Sequence, residues 1–155
     1  MFSLIVQVRR LIHDNGTTTV WSDEELQDWL DAHRIEVIRA PLQYARTVVG
    51  GQVVIRDYAA ELSNWEGDAT LTDADGNTLA PETANLVVGR WSFTAHQQPP
   101  VHLTGRSYDV YAAAADALEA RAAQFALAYD FTADGASYHR SQQAQALLAL
   151  AKQYR

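Results

Sequence analysis

The sequence contains no cysteine, which excludes a disulfide framework, a thiolate nucleophile and any Cys-based zinc or iron–sulfur centre. It is also short of bases: 12 Lys and Arg stand against 19 Asp and Glu, for a net charge of −7. That balance is the reverse of the footprint left by proteins that grip phosphate backbones, so firm DNA binding is not expected. No uncharged apolar stretch approaches the roughly 20 residues that cross a bilayer. Residues 1–8 lack a basic leader segment and run into Arg9-Arg10, so the reading is a protein of the cytosol, or assembled there, without a membrane partner. Missing too are a Gly-x-Ser-x-Gly elbow, a Gly-rich phosphate loop with Lys and Ser/Thr, a dinucleotide fingerprint and a His-Glu-x-x-His pair. No enzyme activity and no cofactor are expected.

What is present is ordinary globular material. The chain has 155 residues, 48% hydrophobic and 20% charged, enough for one domain with a sizeable core. Charge is uneven: residues 1–76 hold 13 acids and 6 bases, whereas residues 77–155 hold 6 of each. Residues 137–155 carry Arg140, Lys152 and Arg155 with no acid, so a basic segment ends an acidic chain.

Three zones follow from the periodicity. In residues 1–34, Leu4, Ile5, Val8, Leu11 and Ile12 recur at helical spacing until His13-Asp14-Asn15-Gly16 stops the pattern. Ser22 with Glu25 then forms a capping box before Leu26, Trp29 and Leu30, and Asp23 and Glu24 suit the positive end of the dipole. The short link makes this a helical hairpin. Residues 35–107 change period, with strand-like runs at 48–49, 52–56, 70–72 and 86–94 separated by Gly, Asp, Asn and Pro. Residues 71–79 read as a β-hairpin around Asp75-Gly76-Asn77, and Gln97-Gln98-Pro99-Pro100 reads as a loop.

In residues 108–155, Val110, Ala114, Leu118, Ala122, Phe125 and Tyr129 lie on an Ala-rich helix ended by residues 130–135. A final helix is expected from a Ser137 cap, with Ala144, Leu147, Leu148 and Ala151 on one stripe and Lys152 and Arg155 at its negative end. Arg140 in its first turn opposes the dipole. The expected architecture is a single α+β domain, in which the terminal helices form a small bundle and the β-rich centre is an insertion.

Three side-chain groups have the residue types that chemistry would need. Asp73, Asp75 and Asn77 offer oxygens, but Gly76 comes too early for a calcium loop and no bidentate Glu follows, so a turn is the simpler reading and no metal is expected. His96 and His102, with Asp109, are the residues a cryptic metal-dependent hydrolase would use, without a third ligand at recognisable spacing. Trp21, Trp29, Trp91, Phe93, Phe125 and Tyr129 fit core positions; Trp65, in Ser63-Asn64-Trp65-Glu66-Gly67, fits either a subunit contact or a cover for the sheet's open end. A small β-containing module that binds carbohydrate or peptide is a further alternative.

Three segments resemble the head–tail connector, or adaptor, proteins of tailed bacteriophages. They are Val8-Arg9-Arg10-Leu11-Ile12-His13-Asp14 with Trp21-Ser22-Asp23-Glu24-Glu25-Leu26, the Ala-rich run from Tyr108 to Glu119, and Asp134-Gly135-Ala136-Ser137-Tyr138-His139-Arg140-Ser141-Gln142 leading to Leu150-Ala151-Lys152-Gln153-Tyr154-Arg155. Together they cover about half of the chain. The long β zone departs from the smallest members, which are mostly helical. The resemblance implies a structural virion protein at the head–tail interface. It implies further that copies form a homo-oligomeric ring, commonly a dodecamer matching the portal, through which DNA passes without sequence-specific binding. The implied partners are the portal protein on one side and a stopper, completion or tail protein on the other. On this reading Tyr138, His139, Arg140, Gln142, Lys152, Tyr154 and Arg155 dock the portal, while Trp65, Asp73, Asp75 and Asn77 make subunit or tail contacts.

Overall fold

The computed structural model describes residues 4–14, 16, 19–126, 131–133, 136–138 and 140–155, with backbone alone for 126, 131–133, 136–138 and 140. The fold is α+β, with helices from both ends of the chain and a β-rich centre. It divides into two compact units, Met1–His33 together with Val110–Arg155, and Arg34–Asp109.

The described residues of the first unit form four helices and one pair of short strands. Helix α1 spans Leu4–Leu11 and buries Val8, with Ile12 buried one residue beyond. Helix α2 spans Asp23–Ala32 and starts where the sequence signals it: Ser22 Oγ accepts from the Glu25 amide at 3.2 Å, and the Glu25 carboxylate accepts from the Ser22 amide at 2.8 Å. Leu26 and Leu30 bury its inner face, and Trp29 meets Trp21 edge-on at 4.8 Å.

The link between α1 and α2 is held by a buried carboxylate. Asp14 accepts from the Val20 and Trp21 amides at 2.8 and 3.3 Å and pairs with Arg9 at 2.8 Å. Arg9 also donates to the Trp21 carbonyl and binds Asp23. The single guanidinium therefore ties the exit of one helix to the entry of the next.

Helices α3 (Val110–Ala126) and α4 (Arg140–Tyr154) pack through small side chains. Ala113, Ala114, Ala115, Ala117 and Ala122 of α3 and Ala144 and Ala151 of α4 are buried, and small side chains of this kind let neighbouring backbones approach closely. The expected extension of the first of these helices to Tyr129 lies outside the described residues. Its successor does not begin at a Ser137 cap: Ser137 sits in strand β10 (Ala136–Tyr138), paired with β9 (Phe131–Ala133), and α4 begins at Arg140. Phe131 and Thr132 on one side of Asp134-Gly135, and Tyr138 on the other, are strand-forming residues flanking a reversal signal, and that pairing outcompetes the cap.

The second unit has two antiparallel sheets. One runs β1 (Arg34–Pro41), β8 (His102–Tyr108), β4 (Thr70–Thr72), β5 (Thr78–Leu79); the other runs β2 (Gln43–Val49), β3 (Gln52–Ala59), β7 (Arg90–Ser92), β6 (Thr83–Asn85). Buried Leu42 takes the chain from the first sheet to the second, and its amide donates to the Val101 carbonyl at 2.8 Å. One core cluster draws on both sheets: Leu42, Ile55, Tyr58, Trp65, Leu71, Trp91, Phe93, Val101 and Leu103.

One expectation is corrected in this unit. Residues 86–94 are not one strand, because β6 ends at Asn85, Gly89 turns the chain at φ 64° and β7 starts at Arg90. The carbonyls of Leu86, Val87 and Gly89 are instead taken by the amides of Trp65, Asn64 and Ala60. Strands β1 and β8, the longest pairing of the first sheet, lie outside the strand-like runs read in the sequence; β1 is interrupted by a bulge where Arg39 adopts φ 51°.

Candidate interaction surfaces

The residues expected to dock a portal divide into three groups. Gln142 and Lys152 are exposed on α4. Tyr154 and Arg155 are engaged inside the helical unit. The Tyr154 hydroxyl donates to the Leu11 carbonyl at 3.1 Å and its ring lies 5.7 Å from Tyr111. Arg155 binds Asp116 at 2.7 Å and Glu119 at 2.9 Å, while His33 meets the other oxygen of Asp116 at 2.7 Å. These two residues fasten the end of α4 to α1 and α3, and the Arg155 side chain stays about half-exposed beside its acidic partners. Tyr138 and Arg140 have described backbones only, and His139 lies outside the described residues.

What α4 does present is a long, nearly neutral face. Ser141, Gln145, Leu148 and Lys152 recur at helical spacing, all exposed, with Gln142 and Ala149 beside them. Lys152 is the sole charge among these six, and Leu148 is half-exposed. A solvated helix face in an acidic protein normally carries several charges.

The 71–79 hairpin forms as expected. Leu71 pairs with Leu79 and Thr72 with Thr78, and Gly76 turns the chain at φ 91°. Asp73 accepts from the Asn77 amide at 2.8 Å and from its side chain at 2.9 Å. Hydrogen bonds from Asn77, the side chain first, hold the Asp73 carboxyl below its ordinary range. The oxygens offered to a cation are thus spent on the turn, and no group of three or more metal-ligating side chains occurs among the described residues. Asp75 remains exposed at the tip, beside Asn77.

Trp65 is 4% exposed, and its indole nitrogen donates to the Leu62 carbonyl at 2.9 Å while its ring meets Trp91 at 6.1 Å. It belongs to the core and not to a contact surface, because its apolar area is already covered within its own unit. The histidines are likewise placed structurally: His96 Nδ1 accepts from the Ile55 amide at 3.0 Å, and His102 lies in β8 with Nδ1 buried and without a hydrogen-bond partner among the described residues. Tyr58 donates its hydroxyl to the Gln97 carbonyl at 2.9 Å, and burial pushes its phenol above the usual value.

A further surface comes from β2 and β3. Strand β7 pairs with β3 only at residues 57–59, and the 93–97 loop binds the chain no farther than Ile55. Beyond that point Thr47, Val48 and Val49 pair only with Val54, Val53 and Gln52 among the described residues, and Gly50 and Gly51, at φ 59° and 82°, close the turn. The result is a two-stranded arm on which Val48, Val49 and Val53 are 68%, 54% and 57% exposed. Its signal in the sequence is Val48-Val49-Gly50-Gly51-Gln52-Val53-Val54, two β-branched pairs about a Gly-Gly turn.

Comparison with protein-family models, with curated proteins and with solved structures gives no match to this chain.

Proposed function

We propose that the chain is a structural subunit that assembles beside copies of itself, a head–tail connector or adaptor of the tailed-bacteriophage type, set in a ring beneath the portal and forming part of the channel for DNA. The observation that carries this reading is the outer face of α4, an exposed run of Ser141, Gln142, Gln145, Leu148, Ala149 and Lys152 that leaves Leu148 half in water. A face that costs little to desolvate is suited to burial against another protein, because few ions must lose their hydration there. The inner face of the same helix is fixed by Ala144, Ala151 and Tyr154, so the outer face is presented by a rigid element. The ring needs a second, unlike surface on each subunit, since heterologous contacts join two different patches. The β2–β3 arm supports that requirement. Net negative charge suits a channel wall that DNA must pass without sticking.

The test is co-purification with the portal protein encoded by the same genome. The unaltered chain is expected to co-elute with the portal ring. Leu148→Glu and Gln142→Glu together, which touch none of the internal contacts, are expected to abolish co-elution while circular dichroism stays unchanged. Equal binding by the double variant would remove α4 from the portal contact. A genome without a portal gene, or no binding by the unaltered chain, would remove the connector reading itself.

A further inference from the structure

The arm of β2 and β3 has a chemistry of its own. On the face that carries buried Ile55 at the base, the register places Arg46, then Val48 opposite Val53 toward the tip. The core side of the sheet therefore continues past the end of the core as an apolar strip in water. Arg46 lies over the Tyr44 ring at 5.6 Å, and Arg56, left over at the register shift on β3, is exposed and has no ion-pair partner among the described residues. Residues 43–56 contain these two arginines and no acid, in a chain of net charge −7. A two-stranded ribbon of this kind is marginal in water by itself. Exposed valines on a free strand edge also invite pairing that proteins usually guard against.

The chain carries a surface of opposite character on α2. Glu24, Asp28 and Asp31 follow one another at helical spacing on the exposed side of that helix. Asp23 is taken by Arg9 and Glu25 by the Ser22 cap, whereas Glu24 and Asp28 have no ion-pair partner among the described residues. Like charges four apart weaken a helix slightly, so within one copy the stripe is a small cost without a return. Val20, just before the helix, is exposed beside it.

We propose that the arm of one copy docks on the acidic stripe of α2 in the next copy, with Arg46 and Arg56 opposite Glu24, Asp28 and Asp31 and the valine strip covered at the same contact. This rests on the ring reading above and names the contact that would join its subunits. Charge complementarity singles out a second copy of this chain as the occupant. Two arginines beside Asp57 are too small a footprint for nucleic acid. The arm and the stripe are also different patches, as a head-to-tail ring requires.

A chain without cysteine gives a direct test. Val48→Cys is made in one preparation and Asp28→Cys in another, and with the portal ring present each reduced variant is air-oxidised alone and, in a third sample, after the two have been mixed. Disulfide-linked heterodimers from the mixture, at least tenfold above either variant alone, are the expected result. Val48→Cys homodimers in place of heterodimers would overturn the proposal in favour of arm-to-arm pairing. No cross-link, while the unaltered chain still forms rings by negative-stain imaging, would overturn the contact and leave the ring intact. No cross-link and no rings would overturn both. As a second readout, Arg46→Glu with Arg56→Glu should abolish rings, and adding Asp28→Arg with Asp31→Arg should restore them. Rings unaffected by the first pair would overturn the proposal.

Discussion

Gly89 is demanded by its neighbours as much as by its own backbone. At φ 64°, an added Cβ would meet the Leu62 carbonyl oxygen and come within 2.9 Å of the Trp65 indole nitrogen. Those are the two atoms that hydrogen-bond each other to seat Trp65. Gly89→Ala should therefore cost the β unit about 3 kcal/mol in urea unfolding, because strain and a displaced buried aromatic add. Gly51→Ala, in open space at the arm's turn, should cost only about 1 kcal/mol. Asp14→Ala removes the buried one of the two carboxylates on Arg9 and leaves two amides without their acceptor, and should destabilise the helical unit by about 2 kcal/mol. At Asp73 the folded carboxyl titrates below its unfolded value. Its contribution is complete above the ordinary carboxylate range and is lost as pH falls through the depressed folded value. The Gly76 amide resonance should report that loss, and Asp73→Asn should abolish the pH dependence. Asp73 could be read as a turn residue in the sequence because Asp-Gly-Asn chemistry is local; Trp65 could not be placed, because the Leu62 carbonyl and Trp91 that bury it are fixed only by the folded sheet pair.

Among elements, α4 has one buried face and one exposed face. Ala151→Leu, at a position of no exposure, should destabilise the helical unit by about 2 kcal/mol through overpacking against α3. Leu148→Gln should change stability by less than about 0.5 kcal/mol while weakening portal binding. Removing residues 152–155 should cost about 3 kcal/mol, since the Tyr154 hydrogen bond, the Tyr111 ring contact and the Arg155 ion pairs disappear together. A truncation there removes contacts that hold the helical unit, whereas substitutions on the outer face leave them in place. The elements legible from residues alone were those with local instructions: the Ser22–Glu25 box, the alanine face of α3 and the Asp73–Asn77 turn. Strands β1 and β8 were obscured because their stabilising partners lie far along the chain and β1 is bulged at Arg39. Residues 86–94 misled because Val87 and Val88 are apolar yet exposed, in a turn whose carbonyls are bound by residues 60–65.

For the molecule as a whole, the α+β class and the pairing of helices from both chain ends were legible, because helical and strand periods alternate in blocks. The arm was only half legible. Its valines and glycines mark a hairpin, but whether they face a core or water depends on where β7 ends, at residues 57–59 of its neighbour. The connector reading is tested most directly by negative-stain imaging of the chain mixed with the portal protein of its own genome. A closed ring of copies coaxial with the portal is the expected result. An undecorated portal ring beside a chain that stays monomeric at every concentration would contradict it.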